Sequence, residues 1–409
     1  MTGTASTAID LSDPGLFVRG EHHEAFRRLR AEEPVWWNRT ADGGFWALTT
    51  YDDIVAVYRD HATFSSEGGA ILGGSLRSER DTAAGRMLVA TDPPRHRMLR
   101  AQMHPAFAPE MIGRTREQVE LLVDAALERA LADGGCDFVT DVAAELPAGA
   151  LMAMADIGHT DAHHLIGLTR RMMAFREAGQ GYDDSDARIR LAEVQSEIFD
   201  FFADLMAERR RRPGADFVSM LLAAEVNGRR LSESDVLYNC MNIAVGGNET
   251  TLYTACAGLA AFMEHPGEFD RLVADPGLLD TALEELLRWG SVNAYVQRIA
   301  LKDTEIGGRL IRRGESVTLW NVSGNRDEKQ FPAADRFDVA RTPNRHLALG
   351  NGVHRCVGAP TGLAELGVLF GRLAEQGIRA EEAGPMERLQ SNFILGITRL
   401  PVTLTRTRP

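Results

Sequence analysis

Apolar residues along this chain recur mostly three and four positions apart, the spacing that lays one hydrophobic stripe along a helix. The pattern predicts helices over roughly 22–33, 51–60, 94–104, 108–133, 140–157, 161–177, 185–212, 232–264, 266–274, 277–289 and 357–376. Period-two signals are fewer. "VWWNRTADGGFWALTT" alternates around an Asp42-Gly43-Gly44 turn and predicts a hairpin, "EIGGRLIRRGESVTLW" predicts a second, and the C-terminal "LPVTLTRT" a third. Two stretches, 63–91 and 324–356, lack periodicity. Loops of that length in a compact chain are usually functional. No repeat, low-complexity linker or boundary divides the sequence. The expectation is a mainly α protein with a minor β part, built as one domain over 1–409.

Composition narrows the function. With 44% apolar and 25% charged residues, the chain is ordinary globular material with a large core. A net charge of −13 without any polybasic run argues against nucleic acid as a partner. Four cysteines without a C-x-x-C pair suit a reducing compartment better than a disulfide framework. The N-terminal "MTGTASTAIDLSDPG" has neither a basic segment nor an apolar one, and no apolar run reaches the roughly eighteen residues of a membrane span. A soluble, cytoplasmic protein without membrane contact is expected.

Chemistry enters at "LGNGVHRCVG", residues 349–358, where three glycines surround Cys356 just ahead of a helical pattern. Glycine serves where the chain needs unusual dihedrals or a close approach. A sulfur placed before a helix meets that helix's free N–H groups, which favour a thiolate. Pro360 suits the first turn. A lone cysteine is most often a small buried hydrophobe, but such a position has no use for this glycine density. Zinc would need three or four ligands at recognisable spacing, and only His354 is near. A phosphate loop would need a lysine that this segment lacks. A catalytic thiol with a distant base and a haem thiolate both remain open on these residues alone.

Three other places carry unusual residues. "AVGGNETT" puts Gly246 and Gly247, then Glu249 and Thr250, inside the longest apolar helix, which starts at a Ser232–Asp235 capping box. Each glycine there costs about 1 kcal/mol against alanine. The segment is either a close helix contact with a threonine bonded back to its own turn, or a groove for a small ligand beside an acid and an alcohol. "EELLRW" sets Glu285 and Arg288 three apart on one face, and Arg336 in "FPAADRFDVAR" is the candidate third partner. In isolation such a pair is usually a solvated surface bridge. "TDPPRHRMLRAQMHPAF" sets His96 and Arg100 four apart, where they could grip carboxylates or simply form an exposed basic face.

Together and in this order, these elements resemble the cytochrome P450 family, soluble bacterial type, over essentially the whole chain. "LGNGVHRCVG" is similar to the family's F-G-x-G-x-H-x-C-x-G loop, and "GGNETT" to its [AG]-G-x-[DE]-T-[TS] helix motif. "ELLR" matches E-x-x-R, "HRMLR" matches H-x-x-x-R, and "FPAADRF" resembles the meander. Departures are Leu349 in place of the usual aromatic, Thr361-Gly362-Leu363 after the cysteine, and Glu249 for the commoner Asp.

The resemblance implies a fold with a long central helix over haem b (iron protoporphyrin IX) and the cysteine loop beneath it. It implies Cys356 as the iron ligand, whose electron donation favours O–O cleavage. His96, Arg100, Arg298 and His354 are expected to hold the propionates. Gly350, Gly352 and Gly358 would bring the loop backbone close to the porphyrin. Gly246 and Gly247 would make room for dioxygen, while Thr250 and Glu249 move protons. Glu285, Arg288 and Arg336 would stabilise the fold. The substrate pocket is expected from Ile71, Leu72, Met172, Met173, Phe175, Ile243, Ala244, Val292, Tyr295, Val296, Phe393, Ile394 and Leu395. That lining suits a medium to large, mostly apolar small molecule, free or tethered to a carrier protein. Without a flavin or iron–sulfur motif, electrons from NAD(P)H would arrive through a ferredoxin reductase and a ferredoxin. The ferredoxin would dock near Arg95, Arg97 and Arg355. The protein is expected to act as a monomeric monooxygenase of secondary metabolism, with hydroxylation the default and epoxidation or coupling the alternatives.

Overall fold

Apolar spacing places the helices well. The computed structural model describes residues 9–41, 43–72, 82–174 and 184–407. Its first half holds α1 (His22–Glu32), β1 (Val35–Thr40), β2 (Gly43–Leu48), α2 (Tyr51–Arg59), α3 (Arg95–Met103) and α4 (Pro109–Ala132). Then come α5 (Glu145–Ala155), α6 (His159–Met173), α7 (Asp184–Arg211) and α8 (Phe217–Ala223). The second half holds α9 (Glu233–Glu264), α10 (Pro266–Ala274), α11 (Leu279–Gly290), β3 (Val296–Ala300), β4 (Ser316–Leu319), α12 (Ala359–Glu375), β5 (Ile378–Glu382) and β6 (Pro401–Arg406). The protein is mainly α with a small β part.

The strands needed more correction than the helices, because strand partners come from distant sequence. Within β1–β2, Gly43 and Gly44 pair with Thr40 and Arg39, so they belong to the second strand of the hairpin rather than to its turn. The segment expected as one hairpin over 305–320 divides in two. Thr304–Ile306 and Arg309–Ile311 form a small hairpin, whereas β4 leaves it to run parallel to β2 and antiparallel to β3. The C-terminal strand β6 forms no hairpin with its neighbours in sequence. It pairs with β5 and with Cys136–Asp137. The apolar pattern gave no pointer to several short elements, among them α8 and the hairpin Glu225–Val226/Arg229–Arg230. The hairpin carries an Asn227-Gly228 turn, a strong hairpin signal.

Helix α9 organises the rest. Ser232 and Asp235 close a reciprocal capping box at its start, and thirty-two residues carry it about 48 Å. A helix apolar on most of its faces must be buried, and α9 is shared between two cores. Its N-terminal half, from Val236 to Ala244, packs with Leu151, Leu165, Ile198, Phe202 and Phe217 of α5 to α8. Its C-terminal half, from Leu252 to Phe262, packs with Val119 of α4, Leu286 of α11 and Leu369 and Phe370 of α12. The stretch between these halves is where Gly246, Gly247 and Thr250 lie. There the helix borders a cavity instead of a core.

The meander is fastened by a fully buried ion pair. Arg288 donates through Nε and Nη2 to the Glu285 carboxylate at 2.7 and 2.8 Å, and both side chains are 0% exposed. Its remaining donors reach the carbonyls of Asn325, Ala334 and Arg336. The third ionic partner is Arg341, whose Nε lies 3.2 Å from both Glu285 oxygens. Arg336, the expected partner, is exposed and contributes only its carbonyl oxygen. The two arginines are five positions apart, and the loop turns the second one inward.

Candidate active site

Cys356 follows two residues after a 3₁₀ turn at Gly352–His354, and its backbone N–H donates to the Leu349 carbonyl at 2.9 Å. That bond closes the loop beneath the sulfur. The sulfur opens into a cavity of about 340 Å³. Burial pushes the thiol pKa up. The backbone N–H groups of Gly358 and Ala359 at the start of α12, with Arg100 and Arg355, work in the opposite direction. Burial prevails over the helix-start effect.

The loop glycines divide: Gly350 and Gly358 line the cavity, while Gly352 serves the protein's own packing. Gly350 and Gly352 both have φ of +67°. A Cβ on Gly352 would stand 2.4 Å from the Tyr58 carbonyl oxygen of α2. Gly358 faces the Phe107 ring instead. The expectation that all three let the loop approach a ligand is therefore corrected for Gly352, whose close neighbour is protein backbone. The Tyr58 hydroxyl is tied to Asn321 Oδ1 at 2.8 Å, which holds α2 against the segment after β4. Tyr58 and Phe107 are support residues that sequence reasoning missed.

Gly246 and Gly247 of α9 line the same cavity and face open space, since a Cβ on either would meet nothing within 4 Å. The Thr250 hydroxyl lines the same cavity and donates to the Gly246 carbonyl at 2.7 Å. Glu249, one residue earlier on the helix, turns away. It is 1% exposed and does not line the cavity. Burial pushes its carboxyl pKa up, partly offset by Arg170 and the hydroxyls of Tyr253 and Thr169. Successive helical residues diverge by about 100°, so the acid and the alcohol cannot share one face.

The four expected basic groups border the cavity together, His96 and Arg100 from α3, Arg298 from β3 and His354 from the loop, and Arg355 joins them. The rings of His96 and His354 lie 4.1 Å apart. His354 Nε2 shares a hydrogen bond with the Ser66 hydroxyl at 3.0 Å. Both His96 ring nitrogens are buried without a hydrogen-bond partner. Arg298 Nη1 donates to the carbonyl of its neighbour Gln297. Neither Arg100 nor Arg298 forms an ion pair with a described carboxylate. Burial, with Arg100 as the next cause, lowers His96 to about 4. His354 is lowered by burial, then by Arg298, His96 and Arg100. Two guanidinium groups beside two imidazoles that can donate as neutral rings are arranged for anions.

The apolar lining is only partly the expected one. Ile243, Val292 and Val296 border the cavity. Ile71, Leu72, Met172, Met173, Ala244, Tyr295, Phe393, Ile394 and Leu395 do not, and Phe175 lies outside the described residues. Ala244 faces the core. Tyr295 is fully buried against Trp320, at 4.6 Å between ring centroids, and against Phe393 at 5.3 Å. The turn at 393–395 bonds along the backbone of Val292 and Ala294, which spends its side chains on packing. The cavity instead gains Leu88, Val89, Asn242 and Asn293, where helix or strand phase alone gave no pointer. Asn293 Oδ1 is buried and has no hydrogen-bond partner.

Comparisons with known proteins agree with this geometry. The family model described as Cytochrome P450 matches residues 182–376. Among curated relatives, linalool 8-monooxygenase of Pseudomonas putida is 36% identical over 97% of this chain and 98% of its own. Cytochrome P450 NovI of Streptomyces niveus is 33% identical, covering 97% of this chain and 96% of its own. Among solved structures, a Mycobacterium marinum cytochrome P450 in complex with pseudoionone superposes with a TM-score of 0.87. It is 34% identical and covers 98% of this chain and 100% of its own. P450 OxyD, involved in the biosynthesis of vancomycin-type antibiotics, also gives a TM-score of 0.87, at 31% identity, with 98% of this chain and 100% of its own covered.

Proposed function

The chain belongs to the cytochrome P450 family and is a cytochrome P450 monooxygenase, and we propose that Cys356 binds the iron of its haem. The observation that carries this reading is that Cys356 lines the same cavity as the open-faced Gly246 and Gly247. The residues also fit haem b at its rim, where four basic groups converge without a carboxylate partner. His96, Arg100, Arg298 and His354 would hold its two propionates. Bound there, haem supplies dioxygen activation at a thiolate-ligated iron. We assign the whole of 1–409 to one functional domain, since α9 belongs to both main cores.

The chain's own residues then manage protons and access. The Thr250 hydroxyl donates to the Gly246 carbonyl, which leaves its oxygen free to accept a hydrogen bond in the cavity, and it passes a proton onward by turning its own hydrogen from that carbonyl into the cavity as it takes another. Glu249 supplies protons from the far side of α9, and at least one water must carry them, because its oxygens do not reach the cavity. Thr250→Ala should keep haem loading and substrate affinity while product per NAD(P)H falls and hydrogen peroxide rises. If Thr250 only bonded back to its own turn, its loss would change stability by less than about 1 kcal/mol and leave coupling intact. Peroxide yield measured beside product yield decides between these.

For the substrate we infer an acyclic terpenoid alcohol or ketone. Linalool and pseudoionone, in the names of two relatives, are small branched chains with one oxygen. The lining here offers Leu88, Val89, Ile243, Val292 and Val296 for the chain, and the unpartnered Asn293 Oδ1 for a hydroxyl. A buried acceptor left unpaired costs about 1–3 kcal/mol, which a hydroxylated ligand recovers. Spectral titration should show a shift to high spin with linalool, at least about tenfold tighter than with the hydrocarbon myrcene. Asn293→Leu should abolish that preference. Equal binding of both ligands by the unaltered enzyme would refute the assignment. Hydroxylation is the reaction we assign, and the likeness to OxyD, involved in the biosynthesis of vancomycin-type antibiotics, supports a place in secondary metabolism.

Electrons are assigned to NAD(P)H through a ferredoxin reductase and a ferredoxin. Arg97 and Arg355 are exposed and free to meet an acidic partner, with Arg59 and Arg345 lining a surface groove beside Arg355. Arg95 is withdrawn from this role, because it pairs with Asp235 at 3.3 Å and donates to the Gly85 carbonyl. Among the described residues, no helix is long and apolar enough to cross a membrane.

A further inference from the structure

Away from the cavity, the first turns of α5 and α6 bring two imidazoles and a carboxylate to one point. His159 and His163 are four apart on α6 and so share a face. Glu145 opens α5 opposite them. His159 Nε2 lies 2.9 Å from Glu145 Oε2, His163 Nε2 lies 3.4 Å from Glu145 Oε1, and the two Nε2 atoms are 3.1 Å apart. His164, the next residue, is turned elsewhere, toward the Phe201 ring.

This triangle is poorly satisfied by protons. A neutral imidazole carries a hydrogen on one ring nitrogen, and an ionised carboxylate only accepts. If His159 Nε2 donates to Glu145, its hydrogen points away from His163, and an unprotonated His163 Nε2 sets its lone pair against both other atoms. If His163 carries the hydrogen instead, the His159 nitrogen faces the carboxylate oxygen lone pair to lone pair. With both protonated, two N–H groups oppose each other at 3.1 Å. With the carboxylate ionised, each of these states leaves one repulsive contact. A single cation at the centre removes all of them.

We propose that Glu145, His159 and His163 form a binding site for a first-row divalent transition metal, of which zinc is the representative. Two imidazoles and one carboxylate suit such an ion, whereas calcium and magnesium prefer all-oxygen sites. Zinc–nitrogen and zinc–oxygen bonds of about 2.0–2.1 Å in a tetrahedron separate ligand atoms by roughly 3.3 Å. The observed separations of 2.9, 3.1 and 3.4 Å bracket that value. The carboxylate is held in place, since Glu145 has a side chain only 9% exposed and no basic partner besides these histidines among the described residues. His159 and His163 are 47% and 33% exposed, so the ion has a route in and water can complete its shell. Bound metal would clamp α5 to α6, the helix whose later turns carry Thr169 and Arg170 to the Glu249 side of α9.

The test is calorimetric titration of tag-free, chelator-treated, haem-loaded protein with zinc chloride. One zinc per chain is expected, with a rise in thermal midpoint and an unchanged haem spectrum. Glu145→Gln and His163→Ala should each weaken binding by roughly 100-fold, the upper end for disturbing a metal site. His164→Ala should bind as the parent does. Equal affinity in parent and His163→Ala, or no stoichiometric zinc in the parent, would overturn the proposal. Because these groups lie outside the cavity, failure here leaves the assignment of Cys356 untouched.

Discussion

Cys356→Ser should yield a protein whose reduced carbon monoxide complex lacks the red-shifted Soret band of thiolate-ligated haem. Turnover should fall at least roughly 1,000-fold, about 4 kcal/mol of barrier. Serine has nearly the same shape but cannot offer a thiolate, and the donor is what tunes the metal. The other three cysteines serve as controls. Cys240 and Cys256 are fully buried in apolar cores, and burial pushes both thiols above their ordinary range. Cys136 sits in a short strand, where burial followed by Asp141 and Asp137 raises it to about 12. None of the three lines the cavity. Their serine variants should keep the band. A Cys356→Ser protein that retained it would remove the basis of the site assignment.

How much of this was legible beforehand depended on whether a feature was local. The period of α9, its capping box and its paired glycines are all set within a few residues, and each was readable in "AVGGNETT" and the Ser232–Asp235 start. The Cys356 loop was readable for the same reason. Side-chain direction was not. Glu249 and Thr250 are adjacent in sequence, yet one faces Arg170 and the other the cavity. The pocket failed more broadly, because Tyr295 and Ile394 are as apolar as a pocket requires but are consumed by core packing. Nothing in an apolar residue's own identity says which side of a wall it will occupy. Strand partnership failed similarly, since β4 sits beside β2 across some 270 residues. The Glu145–His159–His163 cluster had a partial signal in the His-x-x-x-His spacing on α6, but its third member lies fourteen residues back on another helix.

The largest loss of stability should come from the buried pair under the meander, and the direction of the change matters. Glu285 accepts from Arg288, Arg341, the Asn344 amide and the Asp338 backbone N–H. Glu285→Leu therefore strands two guanidinium groups, one wholly buried and one with a side chain 9% exposed. Breaking a buried pair by removing one partner costs about 3–5 kcal/mol, because the remaining charge is left in a poor solvent. Arg288→Leu removes the opposite charge and is expected to cost less. Arg341 still compensates Glu285 there, although the carbonyls of Asn325 and Ala334 lose their donor. Thermal midpoints and haem content of the two variants give the comparison directly. The expected order is parent above Arg288→Leu, with Glu285→Leu lowest and poorest in haem. An equal or reversed order would mean that Arg341 does not compensate Glu285 in solution, and that the meander is held by the arginine's bonds to carbonyls more than by charge.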